Sequence, residues 1–163
     1  MATGSSARLE SLFSLSANDA WAVCGGGTSL HWNGTAWTTA TTPTSTFLRG
    51  VYGVASHEVW AVGDDGVAIH WDGSSWSGVT TGASSVTIGV WEAADSHYWR
   101  SGQSSTLMRF NGTTWTVATE PHGAFDKVYG HGPKEVGGYG AFGMLRHFDG
   151  TAETASMRVP AAL

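Results

Sequence analysis

The residues best equipped for chemistry sit in short polar stretches. His57-Glu58 and Asp95-Ser96-His97 offer two imidazoles and two carboxylates, and His131 stands in a third stretch. Imidazole with carboxylate is a donor set suited to zinc, manganese or calcium, and a bound ion of this kind can activate water for hydrolysis. The spacing does not enforce that reading. No His-x-His or His-Glu-x-x-His sequence occurs, and polar residues are what any exposed turn contains. Glu92 and His131 are the candidates for acid–base catalysis. Arg49, Asp64, Asp65, Arg100 and His122 are charged or polar groups that could hold a ligand without transforming it. Cys24 is the single cysteine, which excludes an internal disulfide and a cysteine-based zinc site. No nucleophile elbow is recognisable, and the glycine-rich stretches read as hairpin turns, not phosphate loops.

The elements that must position these residues are legible because the chain repeats itself. His31-Trp32-Asn33-Gly34-Thr35-Ala36-Trp37, His70-Trp71-Asp72-Gly73-Ser74-Ser75-Trp76, Arg109-Phe110-Asn111-Gly112-Thr113-Thr114-Trp115 and His147-Phe148-Asp149-Gly150-Thr151-Ala152-Glu153 are one motif. The first three copies are 39 residues apart and the last follows after 38. Trp21-Ala22-Val23, Trp60-Ala61-Val62 and Trp99-Arg100-Ser101 form a second motif, which the fourth repeat renders as Gly137-Gly138-Tyr139. Leu12-Phe13, Val51-Tyr52, Val90-Trp91 and Val128-Tyr129 form a third. The repeats span about 8–45, 46–84, 85–123 and 124–160, within one domain of residues 1–163.

Each repeat reads as four short strands. In the second they are expected at Phe47–Val54, Glu58–Gly63, Val67–Trp71 and Ser75–Thr80, with Asp72-Gly73 closing a type I′ hairpin. Composition agrees, since 23 glycines and nine tryptophans accompany a charged fraction of only 13%. One four-stranded meander cannot bury both its apolar faces, but several packed about an axis can. The fold class is therefore all-β: a β-propeller of four-stranded antiparallel blades, four per chain. The ring closes on itself, pairs with a second copy into a larger one, or belongs to a longer array of which this chain is a part. All nine tryptophans fall in repeated slots and so read first as packing between blades, with sugar stacking as the alternative.

A formal charge of −5 and eight scattered basic residues argue against a nucleic-acid partner. No apolar run reaches the length of a membrane span. The opening residues Met1-Ala2-Thr3-Gly4-Ser5-Ser6 lack the basic and apolar regions of a signal peptide.

At the repeated residues the sequence resembles bacterial propeller repeats of the kelch-like, Asp-box (BNR-like) and photosystem-assembly-factor-like kind. The pattern is V-x-G-x-x-x-x-x-V-W-A-V-G-x-x-G-x-x-x-H-W-D-G-x-x-W, and Val51 to Trp76 carries it almost completely. The resemblance implies the fold over nearly the whole chain, and an extracellular or cell-surface setting. It is weak for function, because such repeats serve in adhesins, lectins, assembly factors, lyases and hydrolases.

If repeated residues build the scaffold, function is expected where one repeat departs from its siblings. Loops should emerge alternately on two rims. Arg49, Asp64, Asp65 and His122 belong to one rim, and His57, Glu58, Asp95 and His97 to the other. Glu92 takes a place where Ser14, Gly53 and Gly130 are small, which suggests either a buried acid or an ion pair with Arg49 or Arg100. His31, His70 and His147 recur and read as spacing residues with a satisfied hydrogen bond. The leading expectation is a non-catalytic module that recognises a glycan or a protein surface through rim loops or pockets between blades. A metal-dependent hydrolase with a rim His/Asp/Glu site and a purely architectural role are the alternatives.

Overall fold

A computed structural model of the chain describes residues 8–94, 97–102, 106–111, 113–117, 125–132, 135–140, 144–149 and 153–155. Sixteen strands among these residues form four separate antiparallel sheets of four, each a meander in chain order. The first blade holds β1 (Leu9–Ser16), β2 (Asp19–Cys24), β3 (Ser29–Trp32) and β4 (Trp37–Ala40). The second holds β5 (Leu48–Ala55), β6 (Glu58–Gly63), β7 (Ala68–Trp71) and β8 (Trp76–Val79), within a residue or two of the expected strands. The third is built of β9 (Thr87–Ala94), β10 (His97–Gly102), β11 (Thr106–Phe110) and β12 (Trp115–Val117). The fourth is built of β13 (Phe125–Gly132), β14 (Glu135–Gly140), β15 (Met144–Phe148) and β16 (Glu153–Ala155).

The chain divides into two compact units, Met1–Thr87 and Ile88–Leu163. In the first, the core lies between blades. Trp21 and Val23 of β2 meet Leu48, Val51, Val59, Ala61, Ile69 and Trp76 of the second blade, with Phe13, Leu15 and Trp71 packed against them. A blade thus has a leading face, carrying Trp21 and Val23, and a trailing face, carrying Val51, Val59, Ala61 and Ile69. Strands such as β6 read as unbroken apolar runs because alternate side chains enter opposite faces, and Val59 through Gly63 are all buried. Burying each large aliphatic side chain contributes on the order of 1.5–3 kcal/mol. In the second unit the same relation recurs, with the Trp99 ring 4.9 Å from Phe148 and Trp91 6.2 Å from Tyr129.

The hairpin turns differ from expectation. They are four-residue loops, not two-residue type I′ turns: Trp32 pairs with Trp37 and Trp71 with Trp76. Gly34 and Gly73 have positive φ, at 91° and 97°, but the preceding Asn33 and Asp72 do not. Those residues act through their side chains instead. Asn33 Oδ1 accepts from Thr35 N, Thr35 Oγ1 and Ala36 N, and Asp72 Oδ1 accepts from Ser74 N, Ser74 Oγ and Ser75 N. A short polar side chain that mimics a backbone turn removes the need for two left-handed residues.

These bonds have a titratable consequence. Donation from Ser75 and Ser74 lowers the Asp72 carboxyl from 3.8 to about 2. A depressed folded-state pKa adds stability that is complete above the unfolded value and is lost as pH falls toward the folded one. Asp72→Asn, which copies Asn33, is therefore expected to keep the turn and to flatten the melting temperature between about pH 4 and pH 2. Thermal melts across that range check this, and an unchanged acid dependence in the variant would refute it.

Candidate ligand groove between the first two blades

Trp21 is wholly buried on β2. On one side the His31 ring of β3 stacks on it, with centroids 4.3 Å apart and planes at 18°. His31 is held there by Asp19, whose Oδ1 lies 2.9 Å from Nε2. On the other side Trp71 approaches to 4.8 Å and Trp76 meets the indole edge-on at 5.2 Å. Trp71 is itself tied by its Nε1–H to the Ser56 carbonyl at 3.1 Å. The Trp21, His31 and Trp71 rings line a groove of about 360 Å³ with Thr38, Thr39, Ala40 and Thr41 on one wall and Ser74 and Ser75 on the other.

Two features of this groove bear on binding. Its first wall is β4, the outermost strand of its sheet, with a partner strand on one side only. Its second wall is the turn pinned by Asp72. Aromatic surface, hydroxyl groups and a strand edge meet there, with little formal charge.

The second blade repeats the acid–tryptophan–histidine arrangement with one informative change. Glu58 Oε1 accepts from Trp60 Nε1 at 3.1 Å and lies 3.0 Å from His70 Nε2, though that second contact lacks hydrogen-bond alignment. Asp19 is one methylene shorter and is spent on His31. Trp21 Nε1 consequently has no hydrogen-bond partner among the described residues. A buried donor left without an acceptor costs about 1–3 kcal/mol.

The other residues singled out from the sequence fall elsewhere. Arg49 on β5 makes a two-pronged pair with Asp64, through Nε to Oδ1 and through Nη2 to Oδ2 at 2.9 Å. That hydrogen bond is the main reason its guanidinium holds its proton more tightly than usual. Glu10 of the first blade stands 4.0 Å from Arg49 and 3.4 Å from Arg8, and the guanidinium lies 5.6 Å over the Phe47 ring. Arg49 and Asp64 are thus joined to each other. Asp65 is exposed in the left-handed region at φ 54°, where the first blade has Gly26.

His57 is exposed and packs beside the third-to-fourth-strand turn, where a Cβ on Gly73 would come within 2.9 Å of it. That proximity brings the loop at His57 and the turn at Gly73 together. Glu58, its neighbour, is turned to Trp60 and His70. Glu92 is half-buried on β9, with Oε2 removed from solvent. Asp95 and His122 lie outside the described residues, as do the side chains of His97, Arg100 and His131. Among the described residues no group of three or more His, Cys, Asp or Glu is arranged to hold a metal ion. Nor is any helix among them long and apolar enough to cross a membrane. Cys24 is buried, and burial followed by the Glu10 charge pushes its thiol above the usual value, which disfavours a nucleophile.

Sequence reasoning names pockets between blades but not these residues. The repeat absorbs Trp21 and Trp71 as scaffold, and Thr38–Thr41 and Ser74-Ser75 look like ordinary turn and edge residues. Exposure sets Trp71 apart, half-buried with Trp32 and Trp37 while the other six tryptophans are buried, but it does not single out Trp21.

No protein-family model matches the chain, and no curated protein matches it. Solved structures do. "YCF48 bound to D1 peptide" is matched with a TM-score of 0.72 at 16% identity, over 94% of this chain and 55% of that one. The WD40 β-propeller domain of Doa1 is matched at 0.77 and 11% identity, over 92% and 54%. The WD40 repeats of RRP9 are matched at 0.79 and 9% identity, over 93% and 52%. The chain spans about half the length of the solved structures it matches. At these identities the likeness establishes the β-propeller fold, and neither a kelch-like nor a BNR-like family is singled out.

Proposed function

We propose that this chain is a non-catalytic binding module that takes an extended segment of a partner protein into the groove between its first two blades. The observation that carries the reading is the coincidence of a one-sided edge strand, β4, with an aromatic floor at Trp21 and Trp71. An extended peptide can pair its backbone with such an edge and place alternate side chains on the rings. The Thr and Ser hydroxyls that line the groove supply adaptable polar contacts. A glycan could stack on the same tryptophans but would leave the edge of β4 unused. The structure of YCF48, a propeller solved with a D1 peptide bound to it, supports the same ligand class.

The test is selection of peptides from a random displayed library, run beside a glycan array. Peptide binders whose affinity falls at least about tenfold with Trp71→Ala, equivalent to about 1.4 kcal/mol, are expected. Thr39→Pro, which removes an edge N–H, should weaken the same peptides. Glycan hits without peptide hits would overturn the reading.

A further inference from the structure

The protein already seats one cation of its own, and the manner of it shows what such a seat requires. The Arg49 guanidinium lies 5.6 Å over the Phe47 ring, while Asp64 and Glu10 stand beside it. An aromatic face and carboxylates thus share one guanidinium, a combination that suits arginine. The groove between the first two blades has the same ingredients. Trp21 and Trp71 line it, and a carboxylate stands one contact behind the lining on either side. Asp19 is bonded to His31, 2.9 Å from Nε2. Asp72 Oδ1 accepts from Ser74 N and from Ser75 N, each at 2.8 Å.

What the groove lacks is a cation. Among the described residues that line it there is no Lys or Arg. The unit Met1–Thr87 carries six Asp and Glu residues against two basic ones, Arg8 and Arg49. Both of these already stand beside carboxylates, Arg8 at 3.4 Å from Glu10 and Arg49 in its pair with Asp64. Hydrogen-bonding capacity has the same bias. A carboxylate only accepts, so the hydrogen between His31 and Asp19 is on Nε2, and Nδ1 of the neutral imidazole is an acceptor. Asp72, lowered to about 2 by its bonds from Ser75 and Ser74, is ionised at neutral pH.

On the reading that this groove binds peptide, we propose that the segment it takes is basic, with an arginine or lysine seated on the Trp71 ring and drawn there by the Asp19 and Asp72 carboxylates. An extended strand paired along β4 turns every second side chain to the same side, so cations at alternate positions suit the seat. Arginine is favoured over lysine, because a planar guanidinium stacks on an indole as Arg49 does over Phe47. The same carboxylates repel an acidic segment.

Peptides selected on the parent protein from a random displayed library, then synthesised and titrated by fluorescence anisotropy, test this. An excess of Arg and Lys over the starting library is expected, at alternate positions. Replacing those residues by Gln should weaken binding by about tenfold. Asp72→Asn, which copies the turn at Asn33, should weaken a basic peptide about threefold more than its Gln counterpart. Thr39→Lys places a like charge at an exposed position on the wall, clear of the core, and should act in the same direction. Binders without an excess of Arg or Lys overturn the basic class and leave the groove as a peptide site. Basic peptides that bind Trp71→Ala or Thr39→Lys as tightly as the parent are held elsewhere on this acidic protein, and overturn it as well. An absence of peptide binders overturns the peptide reading itself, and the basic class with it.

Discussion

Trp21→Ala is expected to destabilise the protein by about 3–5 kcal/mol, the largest effect of any single truncation in the first unit. The indole is wholly buried and touches His31, Trp71 and Trp76 at centroid distances of 4.3, 4.8 and 5.2 Å. Removing it opens a cavity whose walls belong to two sheets, and neither sheet can collapse into it without shearing its hydrogen-bonded strands. Part of the loss is offset, because the variant no longer buries an indole N–H without an acceptor. Urea denaturation of parent and variant measures the difference. A loss below about 1 kcal/mol would show that the first two blades are not held together by this ring.

Gly66→Ala is expected to cost at least about 3 kcal/mol, and here backbone is the cause. Gly66 sits at φ 69° in the tight turn between β6 and β7, and a Cβ there would lie 2.0 Å from the Ala83 carbonyl oxygen. Both the conformation and the space therefore exclude a side chain. The same carbonyl-bearing linker is held by Thr81, whose hydroxyl donates to the Gly66 oxygen at 2.9 Å, so it cannot swing away freely. Gly26→Ala is the informative comparison: its φ is 68°, but nothing lies within 4 Å of the added methyl. That variant should lose only the conformational part, about 1–2 kcal/mol. Equal losses in the two variants would mean that the approach of the linker contributes nothing.

These two positions show how differently parts of the molecule are legible. The 39-residue spacing locates the strands of the second repeat to within a residue or two, because alternation and turn residues are local properties of the chain. Of the recurring histidines, His31 has the expected hydrogen bond, with Asp19, whereas Glu58 stands 3.0 Å from His70 Nε2 but bonds Trp60 instead. The turn type is not legible, because Asn-Gly and Asp-Gly serve two different loops. Only the distance between Trp32 and Trp37, set by strand register, shows that the side-chain oxygen and not the backbone sign makes the turn.

The groove between the first two blades is the least legible feature. Its walls, Thr38–Thr41 and Ser74-Ser75, are far apart in the chain and belong to different sheets, and each is unremarkable alone. They meet because Trp21 keys one blade onto Trp71 and Trp76 of the next. Arg49 and Asp64, singled out separately in the sequence, are brought by folding into one two-pronged ion pair. By itself, then, the sequence determined the repeating blade, its strands and the residues that fill its faces, because these follow from periodicity and local conformational preference. Only the tertiary structure decided which surfaces remain open, as in the groove beside Trp71, because exposure depends on what packs from outside the repeat.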